Sequence, residues 1–451
     1  MLPVVSIAAA LRQNCSFVAS REPQSGHVQA AASETCTMAS DPTGPQPGSP
    51  TARSIDLSRG TNQTGTRLYN ERLLLSLARR HQSLPKAEMA RLTGLSAQTV
   101  SVIVNRLEAD GLLLRQELQR GKVGQPSVPY ALNPDAAYSV GLKIGRRGTD
   151  LVLVDFVGRV RKRIPSTHRY PQPAELMRFL REGLVALPAD LDPAARTRIC
   201  GLGIASPFEL WNWESEVGAP VKAMQAWRGF DTAAEIAAVS PWPVQLCNDA
   251  TSACAAECFF GSHEGLRDFL YVFIGSFIGG GVVLGGNVLQ GRSGNAGAVG
   301  SMPIAHIDAS GVSAQQLIRN ASLYVLENRL RAAGIDPSPL WTSPDAWPDF
   351  GKELELWIEE TAAGLAILAA AAMSIIDFEA IIIDGACPAS IRARLTATAA
   401  AKLQQLDLQG LTPAEVLEGS IGPDARAIGG AALPMLANFA RDHEILFRIG
   451  T

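Results

Sequence analysis

The 451-residue chain lacks the marks of several protein classes. No apolar run reaches the ~20 residues that span a bilayer. The stretch Thr361–Ile376 is apolar and alanine-rich, but Glu360 and Asp377 bracket it, so it reads as a buried helix. An excess of one charge is also missing. Lys and Arg number 40, Asp and Glu 43, for a net charge of −3. That balance excludes a uniformly basic nucleic-acid coat and an acidic solvating protein. Cysteine is sparse and scattered, at Cys15, Cys36, Cys200, Cys247, Cys254, Cys258 and Cys387. Cys254 and Cys258 lie one helical turn apart, yet no His or Cys pair nearby completes a tetrahedral metal set. Free thiols in a reducing cytoplasm are the expectation. The start, Met1 to Leu11, mimics a short signal core but lacks a basic leader, since the first charge is Arg12. Disorder, or translation that begins at Met38, is expected there rather than targeting.

What is present divides the chain into three parts, residues 1–65, 66–133 and 134–451. Residues 1–65 are rich in Ser, Thr, Gln, Gly and Pro, and the stretch Ser40–Pro50 holds four prolines. Such a segment buries too little apolar surface to offset its ordering entropy and is expected to be disordered. It carries four charges of each sign, whereas residues 66–133 carry ten basic and five acidic residues, net +5. With a total of −3, the remainder is left at −8. A small basic module on a larger acidic one is the asymmetry expected when one part meets phosphate and the other does not.

Within the basic module Leu73, Leu74, Leu77 and Ala78 repeat at helical spacing and predict a first helix. Pro85 opens a second, Lys86 to Leu92. Gly94 breaks it, and Ser96 is a good N-cap for a third that ends at Gly111. This is a helix-turn-helix pattern with a small residue, Ala90, where two helices cross. Leu95, Val100, Ile103 and Leu107 are expected to face the core. Ser96, Gln98, Thr99, Ser101, Asn105 and Arg106 then lie outward, where short polar side chains suit base edges and phosphates. A strand from Leu112, a basic glycine-rich tip with Arg120, Lys122 and Gln125, and a second strand through Tyr130 predict a wing. A helical bundle with merely solvated charges is the plainer alternative. The helix–helix–helix–hairpin order with net +5 favours a double-stranded DNA operator as partner.

From Tyr138 strands and helices alternate. Val140–Ile144 and Asp150–Val160 read as buried hairpin strands, Ile199–Pro207 as another strand, and Thr251–Phe260 as a helix. Phe269–Gly286 reads as a hairpin with a glycine-rich bend, Ile381–Ala386 as a late strand, and Ile421 opens the last helix. In this order the chain resembles the ROK family, which comprises sugar kinases and repressors that place a winged helix before the same fold. The resemblance covers about Arg67 to Leu446. It rests on Gly124-Gln-Pro at the end of the wing, Asn248-Asp249-Ala, Gly275-Ser-Phe-Ile-Gly-Gly-Gly and Gly294-Asn-Ala-Gly-Ala-Val-Gly-Ser. It implies an α/β fold, namely a winged helix-turn-helix followed by a two-lobed actin-like ATPase domain. It also implies a ligand set at Asn248, Asp249, Gly280 and Asn295.

The chain departs from the kinase pattern of that family. Lys143-Ile-Gly-Arg-Arg-Gly stands where the kinases have Asp-x-Gly-x-Thr, so a metal–phosphate complex loses an acidic ligand. Phe277 stands where a glycine lets backbone approach the nucleotide. Asp249 keeps the position of the family's base, but a base without a placed nucleotide is not a kinase. Asn248 and Asp249 either accept sugar hydroxyls or simply cap the Thr251 helix; both readings stand at this point. Ala298 and Ser301 replace the family's Glu-x-x-His. The cysteine run of its zinc element is replaced by Asp308-Ala-Ser-Gly-Val-Ser-Ala-Gln-Gln, so neither metal nor resident cofactor is expected. Gln315 or Gln316 stands near the family's last sugar-binding Glu. The resulting expectation is a cytoplasmic regulator of carbohydrate genes, most readily a repressor. It is expected to be a homodimer or homotetramer without a membrane partner, sensing a sugar or sugar derivative and not itself an enzyme. An active sugar kinase with a DNA-binding module, or a regulator whose large domain only oligomerises, are the alternatives.

Overall fold

The computed structural model describes residues 63–118, 127–208, 210–212, 221–263, 265–308, 311–343 and 345–440. The expectations for residues 1–62 and for Arg120, Lys122 and Gln125 at the wing tip lie outside these residues. The first module contains α1 (Gln63–Arg80), β1 (Ser83–Pro85), α2 (Lys86–Thr93), α3 (Ala97–Ala109), β2 (Leu113–Arg115) and β3 (Pro129–Leu132). Its strands form a sheet in the order β1-β3-β2. Strand β1 is an addition to the sequence reading. Three residues are too few to show a period, yet Leu84 pairs with Tyr130 across the sheet. Gly94 ends α2 at φ 71, and its N–H donates to Ala90 O. The left-handed backbone that glycine tolerates sets the helix-turn-helix angle. Ser96 caps α3 by accepting from Thr99 N.

The large domain repeats one sheet topology twice. Strands β4 (Tyr138–Ile144), β5 (Gly148–Asp155), β6 (Val160–Thr167), β7 (Ile199–Ser206) and β8 (Val244–Asn248) lie in the order β6-β5-β4-β7-β8. Strands β9 (Phe269–Ile274), β10 (Ile278–Leu284), β11 (Asn287–Leu289), β14 (Ala380–Gly385) and β15 (Glu415–Glu418) lie in the order β11-β10-β9-β14-β15. Each sheet is an antiparallel meander followed by two parallel strands. This is the two-lobed actin-like arrangement. A separate hairpin, β12 (Pro303–Asp308) and β13 (Gly311–Gln316), occupies the stretch where the zinc element would stand.

Around the sheets lie α4 (Pro173–Ala186), α5 (Asp249–Phe260), α6 (Leu323–Ala332), α7 (Lys352–Met373), α8 (Ala389–Leu403) and α9 (Ala425–Phe439). Helix α7 has the length and composition to cross a membrane. In this structure Leu354, Trp357, Ile358, Ala362 and Leu365 of α7 join the core of the second lobe, as expected for a buried helix. Helices α5 and α9 follow the fifth strand of their respective lobes and pack on each other at backbone contact. A Cβ on Gly429 would lie 1.9 Å from Ser252 O, and one on Gly203 of β7 would lie 1.9 Å from Gly430 O.

The winged-helix core does not close on itself. Leu74, Ala78, Met89, Val100 and Leu107 form one buried cluster with Phe156, Cys200, Met435 and Phe439 of the large domain.

Candidate functional site

Two sites emerge, a protein face on α3 and a charged cleft at the start of α5. On α3 the buried residues Val100, Ile103, Val104 and Leu107 fix which face turns outward. At 100° per residue the centre of the outward face is held by Gln98, Val102 and Asn105. Gln98 and Asn105 are exposed, as the sequence predicts, and Ser101 is half-buried beside them. Val102 is 63% exposed and was missed, because sorting by polarity sends every valine inward. Its position on the helical wheel was the available signal. Ser96 and Thr99 are exposed, but they hydrogen-bond each other at 2.8 Å in the cap. Lys86 Nζ donates to Asn105 Oδ1 at 2.5 Å and lies 5.1 Å from the Tyr130 ring centroid. Arg106 is half-exposed and also pairs within the module. Its Nε lies 3.7 Å from Glu71 on α1 and 3.7 Å from Asp110. It therefore tethers α3 to α1, and burial pushes the Glu71 carboxyl up against the pull of Arg106 and Arg67.

The cleft is built from strand ends and helix starts. Asn248 ends β8 and caps α5, with Oδ1 accepting from Ala250 N at 3.0 Å and Thr251 N at 3.3 Å. Capping is thus real, and it leaves the Asn248 amide nitrogen as the donor. Asp249 accepts from Ala250 N on one oxygen and from Arg426 Nη1, at 3.2 Å, on the other. Arg426 opens α9 and stacks over Phe273 at 5.0 Å. Lys143, the cation that replaces the kinase acid, faces Asp150 directly across β4 and β5, and its Nζ lies 2.6 Å from Asp150 Oδ2. Burial, then Arg426, pull the Lys143 pKa down. Burial pushes Asp150 up, but Lys143 outweighs it and holds the carboxyl below its ordinary value. Arg163 likewise pairs with Asp424 at 2.5 Å. Lys143, Arg163 and Arg426 are therefore each paired with a protein carboxylate.

The glycine-rich turn of residues 275–277 is also committed. Gly275 O and Ser276 O accept from Leu323 N and Tyr324 N at the start of α6. Phe277 packs on Tyr324, with ring centroids 5.2 Å apart. These bonds fix the turn against the start of α6 through its carbonyls. Gly280 departs from the predicted ligand set. It lies inside β10 opposite Val272, and a Cβ there would meet Tyr271 O at 2.4 Å. Its glycine serves packing. Asn295 is exposed on the loop after β11. Among the described residues no three His, Cys, Asp or Glu side chains converge to hold a metal.

The residues after Lys143 tie the lobes together, which the sequence did not disclose. Arg146 and Arg147, in the β4–β5 turn, and Arg331 all pair with Glu327 of α6, whose side chain is 1% exposed. The Arg146 contact is 2.8 Å.

Comparison with known proteins agrees with this architecture. Residues 139–320 match the ROK family and residues 72–122 the MarR family. The chain is 26% identical over 52% of its length to a putative xylose repressor of Caldicellulosiruptor sp., and 25% identical over 54% to the xylose repressor of Bacillus subtilis. It spans only 58% and 62% of the lengths of those two relatives. Among solved structures, a ROK family transcriptional regulator homologous to the E. coli MLC protein superimposes with a TM-score of 0.56. That match has 19% identity and covers 83% of this chain and 97% of the regulator, a likeness of fold. The chain therefore carries a ROK family domain behind a winged-helix module of MarR family type.

Proposed function

We propose that this protein is a DNA-binding transcriptional regulator, most simply a repressor. Its kinase-like domain binds a sugar or sugar derivative at the Asn248–Asp249 end of α5 instead of phosphorylating it. The observation that carries this reading is the outward stripe Gln98–Val102–Asn105, on a helix whose opposite face is locked into the core. It fits a major groove, where Gln pairs with adenine N6 and N7 and an apolar side chain meets a thymine methyl. The protein is proposed to act in the cytoplasm as a homodimer or homotetramer. Two copies of α3 then reach successive major grooves of a pseudo-palindromic operator. That two matched relatives are named xylose repressors makes D-xylose the first probe. Asn248, Asp249 and Asn295 remain the proposed sugar contacts.

The test of DNA reading uses an operator selected from random DNA by the wild-type protein. Gln98→Ala is expected to weaken binding by about ten- to a hundredfold, with most of the loss at one A·T pair. Replacing single thymines by deoxyuracil should weaken the wild type at one position and leave Val102→Ala unaffected there. If no thymine methyl matters to the wild type, Val102 does not read one.

The test of the cleft is Asp249→Asn. A carboxylate that accepts sugar hydroxyls contributes charge-assisted bonds of roughly 1.5–3 kcal/mol each. The variant is expected to fold and still bind operator, with an affinity altered by loss of the Arg426 pairing, and to bind its sugar about ten- to a thousandfold more weakly by calorimetry. A second reading, a large domain that only oligomerises, is favoured by the commitment of Asn248 Oδ1 to the cap and of Asp249 to Arg426. It predicts no sugar binding by wild type or variant. ATP-dependent phosphorylation by the wild type, lost in the variant, would restore the kinase reading.

A further inference from the structure

Helices α5 and α9 share an unusual placement. Both start at the proposed sugar site, α5 with Asp249 and α9 with the Arg426 that pairs with it. Both end on α1 of the winged-helix module. Helix α5 ends at Phe259 and Phe260, and Arg79 of α1 lies over their rings at 4.0 and 5.6 Å, with Phe156 at 4.7 Å completing a cage. The Arg79 guanidinium donates to Phe156 O. Helix α9 ends at Phe439, which packs edge-on against Phe156 at 4.7 Å, and Arg72 donates to Ala440 O at 2.9 Å. With 12 and 15 residues, the helices are about 18 and 22 Å long at 1.5 Å per residue. Their mutual contact at Gly429 is backbone on backbone, and α9 continues from there through an internal Pro434 to Phe439. Beyond the cage, α1 is tied to the reading helix by Arg106 and Glu71. A cavity of about 260 Å³, with Arg79, Tyr69, Phe259 and Phe439 on its wall, leaves α1 room to shift against the large domain.

We infer that α5 and α9 form a two-helix strut that transmits the state of the Asp249–Arg426 pair to the DNA-reading module, and that Arg79 in its phenylalanine cage is the joint. This inference rests on the proposed function for its physiological meaning, since a sugar at Asp249 competes with Arg426 for the carboxylate. The mechanical claim stands on the helices alone. A guanidinium over aromatic faces is held by direction and distance, so a small shift of the α5 end is felt by α1. Burial pulls the Arg79 pKa down to about 9, with Asp155 opposing, so the joint stays charged at neutral pH. Arg79 is a positioning residue and touches neither sugar nor base.

The test is a double-mutant cycle on operator affinity in the full chain, using the selected operator. Arg426→Met releases Asp249 without any sugar present, and Arg79→Met fills the cage without charge. Residues at opposite ends of a strut should be additive if uncoupled. The expectation is that Arg426→Met changes operator affinity at least fivefold in the wild-type background and less than twofold beside Arg79→Met. Arg79→Lys, which keeps the cation over the rings, should restore most of the response. Phe259→Leu, which removes the nearest wall of the cage while keeping Arg79, serves as the uncoupled background if Arg79→Met fails to fold. Equal effects of Arg426→Met in both backgrounds, or no effect in the wild type, overturn the strut. In a parallel arm, D-xylose is titrated into wild type and Arg79→Met with and without operator. Loss of the coupling factor in Arg79→Met, with sugar affinity kept, supports the relay, and coupling must be reciprocal between the two ligands. If the cycle is non-additive but no sugar in a panel shifts operator affinity, the strut stands and the sugar-sensing reading fails.

Discussion

Gly203→Ala is expected to destabilise the protein by at least about 3 kcal/mol, read as a fall in the urea midpoint, and to abolish operator binding at 37 °C. One methyl group has this effect because of what it meets. The Cβ would sit 1.9 Å from Gly430 O and 2.9 Å from its carbonyl carbon, both backbone atoms that no rotamer change can move. Shifting α9 outward does not relieve the clash cheaply. The same helix lies against β4, where a Cβ on Gly141 would be 2.3 Å from Ala427 O, and against α5, where Gly429 meets Ser252 O. Interiors at this density transmit such strain rather than absorb it, and overpacking typically costs 1–3 kcal/mol even where side chains can give way. Gly229→Ala is the control. Nothing lies within 4 Å of its added Cβ, so its effect should stay within about 0.5 kcal/mol. A Gly203→Ala loss below about 1 kcal/mol would show that α9 is free to slide.

Glu327→Gln is expected to cost about 3–5 kcal/mol, because it removes the buried carboxylate that Arg146, Arg147 and Arg331 share. The Arg146 side chain is only 7% exposed, so water cannot take over the carboxylate's role there, and burial already pulls the Arg146 pKa down. Arg331→Ala should cost under about 1 kcal/mol, since that side chain is 51% exposed and solvent screens its pairing. Added sulfate should recover part of the Glu327→Gln loss by pairing with the exposed sides of Arg147 and Arg331, and chloride should recover less. A loss equal to that of Arg331→Ala would mean that the knot is solvated and does not hold the lobes.

How much of this was legible in the chain depended on the distance between partners. The helix-turn-helix was readable because its determinants are local: Gly94 and the Ser96 cap lie within a few residues of the groups they satisfy. The pairing of Arg106 was not legible, because its partner Glu71 stands 35 positions earlier, on another helix. Gly280 was assigned to a ligand because a glycine's reason for being small lies in the strand beside it, here at Tyr271 O. The Arg79 cage drew on Phe156, Phe259 and Phe260, which nothing in the sequence brings together. The actin-like lobes entered through resemblance of motif order. Their duplicated strand order became visible only in the pairing of the sheets.

The buried cluster that runs from Leu74 through Met89 to Phe439 bears on how such a protein can change over evolutionary time. A reader joined to a sensor by a loose tether can be exchanged as a cassette. Here the cut at residue 133 would pass through shared hydrophobic surface, exposing aromatic rings on both halves. Under the proposed function, a change of operator or ligand preference is expected from side chains on α3 and at the start of α5, with the shared cluster left intact. A hybrid that grafts a foreign winged-helix module onto this large domain must reproduce the guanidinium and the apolar stripe of α1 before it can fold as one unit.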